Sequence, residues 1–217
     1  LDDVQKRLGA VPMEIQIPTA AEDAFSDIID LVTMEMISYT DDDGKGERPV
    51  RGPIPEEHQE IAPLHRHHMI EVLAEHDDEI LELFVAEQEP DVAQIKAAIR
   101  RVLIAQAGRG YKDETPLVPV LCGSSLKNRG VQAMLDAVVD YLPNPREVPP
   151  PESFDPESGE KTKLDVRPSA PVAALAFKTI ADRHGDLTFL RIYAGTLKQG
   201  MRVQNTTQDR KERVQHI

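Results

Sequence analysis

Between Leu117 and Leu142 the sequence leaves few folds open. The run Leu117 to Cys122 is nearly all apolar, as expected of a strand covered on both faces in a parallel sheet. Gly123 breaks it. Val131, Met134, Leu135, Val138, Val139 and Leu142 then recur at i, i+3, i+4, i+7, i+8 and i+11. That spacing predicts an amphipathic helix, ended by Pro143 and Pro145. A strand, a loop and a helix in this order put this part of the chain in the α/β class.

The flanking regions differ in texture. Residues 1–45 read as strand-rich. Met13, Ile15 and Ile17 alternate with Glu14 and Gln16, the period of a half-buried strand with its polar residues turned to solvent. Phe25 to Val32 and Met34 to Tyr39 read as two more strands, and Asp41 to Gly44 as a turn. Residues 55–107 read as helical. Pro55 suits a first helical position, with Glu56 and Glu57 at the positive end of the helix dipole. Pro63 is expected to kink or interrupt that helix. A second helix is expected from about Asp77 to Glu87. A third opens on Asp91 and Gln94, spaced as a capping box, and carries Ile95, Ala98, Ile99, Val102 and Leu103 on one face. Residues 143–171 hold eight of the 17 prolines and read as an extended linker. Beyond it, Val172 to Thr179, Leu187 to Tyr193 and Met201 to Gln204 read as strands punctuated by Gly185, Gly195 and Gly200, the pattern of an antiparallel barrel.

Charge narrows the partners. The 217 residues carry a net charge of −13, opposite to what a phosphate-binding surface needs, so tight binding of bare nucleic acid is not expected. No apolar stretch approaches the roughly 18 to 20 residues of a membrane helix. Cys122 stands alone, which excludes an intrachain disulfide and fits a reducing cytoplasm. Leu1 opens the sequence and Ile217 lies within a strand-like run, so both ends are expected to be cuts in a longer chain.

Among candidate sites, the rim of the apolar strand is the most informative. Ligands of open α/β sheets bind beyond the carboxyl ends of parallel strands. Gly123 there would let the backbone approach a flat ligand, and the amides of Ser124, Ser125 and Leu126 would donate to a carbonyl oxygen. On spacing alone an ordinary strand-to-helix connection fits as well. His65 and His68 share a helix face, which also fits a solvated surface. Residues 67–95 hold nine acids and no Lys or Arg, either a solvated face or a partner site. Cys122 reads as a packing residue, since no base stands near it in sequence to activate it. Phosphate-cradling chemistry is absent: no Gly-x4-Gly-Lys-Ser/Thr occurs, Gly44-Lys45 is followed by Gly46, and no Asn-Lys-x-Asp occurs. Asp41-x-x-Gly44 and Asp182-x-x-Gly185 read as turns.

The run from Val118 through Gly123-Ser124-Ser125-Leu126-Lys127-Asn128 to Tyr141-Leu142-Pro143 resembles the guanine-recognition loop and following helix of the elongation factor G family, with Ser125 where Ala is usual. Arg7 to Pro12 is similar to the family segment after its Asn-Lys-x-Asp motif. Phe25 to Val32 resembles the start of its inserted subdomain, and Gly185 to Gly200 the second-domain signature of translational GTPases. Gly108 to Thr115 is longer than the family leads one to expect. The resemblance implies the C-terminal part of a P-loop GTPase domain (1–145) with an α+β insert at about 33–115. A Pro-rich linker (146–170) and a partial antiparallel β-barrel (171–217) would follow. It implies a parent that uses GTP binding and hydrolysis, with Mg²⁺, to move tRNA and mRNA on the ribosome in the cytoplasm. The insert would meet the ribosomal stalk protein. Ser124, Ser125 and Leu126 would contact guanine. Without a phosphate loop, switch regions or Asn-Lys-x-Asp, this chain alone is expected to be inactive. A recycling, release-type or ribosome-protection GTPase, or a non-catalytic ribosome-binding module, are the alternatives.

Overall fold

The computed structural model describes residues 1–20, 25–39, 48–109, 115–156, 158–182 and 185–217. The Asp41 to Gly44 turn and the middle of Gly108 to Thr115 lie outside them, as do the two central residues of the Asp182-x-x-Gly185 turn. The chain divides into two units, Leu1–Pro143 and Asn144–Ile217.

The first unit opens on a helix that strand-rich composition hid. Helix α1 (Asp2–Leu8) has Asp2 and Asp3 in its first turn, Lys6 and Arg7 in its last, the charge order that suits the helix dipole. Gly9 ends it in the left-handed region at φ 60°. Strands β1 (Val11–Glu14) and β2 (Gln16–Pro18) are one extended run that changes sheets at Ile15. The Ile15 amide donates to the Val120 carbonyl at 3.1 Å, and its carbonyl accepts from Leu31 at 3.0 Å. Strand β1 pairs in parallel with β6 (Leu117–Val120). Strand β2 begins an antiparallel sheet in the order β2, β3 (Asp27–Asp30), β4 (Glu35–Ser38), β5 (Val50–Gly52). Met13, Ile15 and Ile17 are buried as their alternation predicts, but Gln16 is buried as well, because this stretch is covered on both sides.

Pro55 caps a single 3₁₀ turn, Glu56–His58, rather than opening the long helix. Helix α2 (Ile61–Ala74) begins after it, with Pro63 in the first turn. There its missing amide costs no intrahelical bond, so the expected kink is not seen. Helix α3 (Asp78–Val85) is capped by Asp77. Helix α4 (Val92–Arg109) is preceded by the capping box, in which Asp91 and Gln94 exchange side-chain bonds of 2.8 Å with each other's amides. One core joins Met13, Ile29, Leu31, Met69, Leu73, Ile80, Ile95, Ile99 and Leu117. Each such side chain contributes about 1.5–3 kcal/mol on burial.

Helix α5 (Val131–Tyr141) forms where periodicity placed it but buries a different face. Ala133 and Tyr141 are buried, with Ala137 packed on the core, whereas Met134, Leu135, Val138, Val139 and Leu142 are exposed. Strand β6 is likewise buried only at Leu117. The expectation of cover on both faces fails: Val118 is exposed, and Pro119 and Val120 are only half-buried.

The second unit is built of hairpins. Strands β7 (Glu152–Phe154) and β8 (Lys161–Lys163) pair inside the Pro-rich segment expected to be plain linker. Strands β9 (Ala173–Asp182) and β10 (Gly185–Ala194) form a long antiparallel ribbon, and β11 (Arg202–Asn205) with β12 (Arg210–Arg213) a short one. The expected partial barrel is present only as these separate ribbons, and no closed barrel forms among the described residues. At Gly195 (φ 72°) a Cβ would lie 2.5 Å from the Ala170 carbonyl oxygen, so the end of β10 is pressed against the chain entering β9. No described helix is long and apolar enough to cross a membrane.

Candidate functional site

From the end of β6 the chain reaches α5 through Leu121–Gly130, and two glycines set the path of that loop. A Cβ on Gly123 would stand 2.8 Å from the Arg129 carbonyl oxygen. One on Gly130 would stand 2.5 Å from the Cys122 carbonyl oxygen and 2.8 Å from the Gly123 Cα. Gly130 also has φ 81°, a conformation costly for any other residue. The close approach expected at Gly123 is therefore made by the loop's own returning backbone.

Inside this pinch the Ser124 amide donates to the Arg129 carbonyl at 2.8 Å, and the Arg129 amide donates back to Ser124 at 3.1 Å. Ser125–Lys127 makes one 3₁₀ turn between them. The Lys127 amide reaches the Ser124 carbonyl at 3.0 Å, and the Asn128 amide the Ser125 carbonyl at 3.1 Å. Asn128 takes a left-handed φ of 52°, which Asn tolerates better than most residues. The amides left over are those of Ser125 and Leu126. They open the turn, where N–H groups lack internal acceptors, and donate to no group among the described residues. The Leu126 side chain is 99% exposed. Of the three residues singled out by sequence, Ser124 thus spends its amide closing the loop, while Ser125 and Leu126 keep theirs available.

The loop rests on a small second core of Ile28, Ile37, Tyr39 and Ala133, with Phe25 and Cys122 against it. Arg129 pins it from the side by donating to the Phe25 carbonyl. Sequence reasoning missed Arg129 and Gly130; the two glycines bracketing a polar hexapeptide were the available signal. Burial pushes the Cys122 thiol up to about 11, so at neutral pH it is a packed thiol rather than a nucleophile. Burial likewise raises the Tyr39 phenol.

Other sequence candidates fall elsewhere. His65 bonds Glu14 through Nδ1 at 2.8 Å, joining α2 to β1, and His68 bonds Glu71 at 3.1 Å on an exposed face. Along the acidic segment, Glu79, Glu82, Leu83 and Gln94 line a slot of about 420 Å³ between α3 and α4. Leu81 and Val85 are exposed on the same short helix.

No family model matches this chain. Among solved structures, a crystal structure of a protein from Thermus thermophilus matches over 98% of the chain, with a TM-score of 0.65 and 22% identity. The chain spans 27% of that protein's length. At this identity the likeness is one of fold.

Proposed function

We propose that this chain is an internal part of a translational GTPase of the elongation factor G kind, contributing the guanine-recognition loop, the inserted subdomain and the start of the second domain. One observation carries the reading: the two unspent, consecutive amides of Ser125 and Leu126, held by a glycine-pinched loop at the carboxyl end of a parallel strand. Guanine offers a carbonyl oxygen to such donors; adenine offers an amino group at the same position, itself a donor, and is disfavoured. Each hydrogen bond gained with guanine and not with adenine is worth about 0.5–1.5 kcal/mol net, enough to favour guanine.

The residues present fit the base and not the rest of the nucleotide. The sequence carries no phosphate-cradling loop with its Lys and Mg²⁺-holding hydroxyl, so nothing here would hold the phosphates or Mg²⁺ of GTP or GDP. In the parent, hydrolysis would drive movement of tRNA and mRNA on the ribosome. The acidic slot between α3 and α4, lined by Glu79, Glu82 and Leu83, would take the ribosomal stalk protein chiefly through complementary charge.

The test is an amide-resolved NMR titration. Guanosine and GDP are expected to shift Ser125 and Leu126, with affinity no tighter than about millimolar, or roughly −4 kcal/mol. Adenosine is expected to leave them in place, and Ser125→Pro, which removes one donor, to abolish the guanosine response. Equal shifts with both nucleosides, or none in 123–130, would reject the reading. So would micromolar binding, which this loop alone does not supply.

A further inference from the structure

Tyr39 is 1% exposed and packs in the small core of Ile28, Ile37 and Ala133 on which the Leu121–Gly130 loop rests. Its hydroxyl is sealed from solvent and makes no hydrogen bond among the described residues. Burial raises the phenol, and the facing Gly130 amide acts against that rise. The two groups are thus close, yet they fall short of hydrogen-bond geometry. The Gly130 amide has no other acceptor. It stands just before the first turn of α5 and donates to no group among the described residues. A donor without an acceptor therefore faces a buried acceptor without a donor. One residue earlier, Arg129 Nε is also sealed and unpartnered, although the same guanidinium donates to the Phe25 carbonyl.

Buried polar groups in native proteins are almost always satisfied, and a phenylalanine at position 39 would fill the same space without an orphaned oxygen. The place of the mismatch gives it a use. Arg129 and Gly130 form the returning side of the loop. Arg129 holds Ser124 through both its carbonyl and its amide, and Gly130 backs onto the Cys122 carbonyl. A small shift of this segment toward Tyr39 would close the missing bond. Through the two Arg129–Ser124 bonds the shift would carry the Ser125 turn with it.

We propose that Tyr39 is a positioning residue for this loop. A ligand held by the Ser125 and Leu126 amides settles the Arg129–Gly130 segment onto the Tyr39 oxygen, so that ligand binding and the Tyr39–Gly130 bond strengthen each other. The hydroxyl touches no ligand; it acts through Gly130. The proposal rests on the reading of the loop as a guanine site.

Tyr39→Phe removes the oxygen and keeps the ring. Deleting an unsatisfied hydroxyl is nearly neutral for folding, so its denaturant midpoint is expected to match wild type. In an amide-resolved NMR titration of wild type with GDP, the Gly130 amide is expected to move downfield along the same saturable curve as those of Ser125 and Leu126. In Tyr39→Phe that Gly130 movement is expected to vanish, and GDP affinity to fall about fivefold, the worth of one ordinary hydrogen bond. Tyr141→Phe, at a buried tyrosine of the main core, should leave the affinity unchanged. A Tyr39→Phe variant with a lowered midpoint but unchanged affinity and Gly130 response would show a purely structural role and overturn the proposal. So would a Gly130 amide that stays still in wild type while Ser125 and Leu126 shift. No GDP response anywhere in 123–130 would reject the guanine reading itself, and the proposal with it.

Discussion

The carbonyl oxygen of Cys122 occupies the place that a side chain on Gly130 would need: a Cβ there would lie 2.5 Å away. With φ at 81° the position is strained for any L side chain as well. Gly130→Ala is therefore expected to cost about 2–4 kcal/mol, strain and overpacking acting together. Gly9→Ala is the matched comparison. It has φ 60° but nothing within 4 Å, and should cost only about 1 kcal/mol. Urea unfolding of both variants checks the difference.

Arg66 should be the most costly surface-proximal substitution in the first unit. Its guanidinium donates to the carbonyls of Leu31 at 2.7 Å, Val32 at 2.9 Å and Pro90 at 3.1 Å, and to Glu89 at 2.6 Å. Its side chain is 12% exposed. Lysine cannot reproduce that fork, so Arg66→Lys is expected to lose about 2–3 kcal/mol. Glu89 is 67% exposed, and Glu89→Gln should change stability by about 0.5 kcal/mol or less. Denaturant midpoints of the two variants test this ranking.

Asp77 should make stability acid-sensitive. Burial alone would raise its carboxyl, but the Arg101 guanidinium and the Ile80 amide outweigh burial and hold it below the ordinary value of 3.8. A lowered native value means the stabilisation is present in full above the unfolded value and is lost as pH falls through the native one. The stability gap between wild type and Asp77→Asn is thus expected to be flat near neutrality and to shrink below about pH 4. Urea unfolding across that range measures it; a gap that grows in acid would contradict the assignment.

The ribbon β9–β10 should be the weakest secondary structure per hydrogen bond. Leu175, Phe177, Leu187, Phe189 and Ile192 are all exposed, and Ala194 is the one buried apolar side chain among the described residues of the second unit. Open strand edges invite pairing with other chains. In dilute monomer, amides of 187–193 are expected to exchange far faster than those of Ile28 and Ile29, which are fully buried. Protection that rises with protein concentration would mark self-association; equal protection in dilute monomer would show the ribbon to be stable by itself.

What could be read from sequence depended on how local its cause was. Helix α4 was legible because the Asp91 and Gln94 box and the Ile95, Ala98, Ile99, Val102 face all lie within one helix. Helix α5 was legible as a helix, but its packed side was not. Burial went to Ala133, Ala137 and Tyr141, because small residues let the helix approach the sheet, a property of the surface opposite. Gln16 escaped for the same reason: alternation assigns a face, while cover on both faces is set by elements far along the chain. In the loop, the positions of Ser124, Ser125 and Leu126 were legible, and the division of their amides was not. That division follows from a cross-loop bond to Arg129 that no spacing rule contains.

The far end of α5 is held as firmly as its beginning. Arg100 of α4 donates to the carbonyls of Asp140 at 3.1 Å and Leu142 at 3.0 Å, and Lys96 grips Asp140. Between that grip and the Gly130 pinch lies a helix of 11 residues, about 16 Å long. Backbone carbonyls thus fix both of its ends: that of Cys122 leaves no room for a side chain at Gly130, and those of Asp140 and Leu142 are held by Arg100.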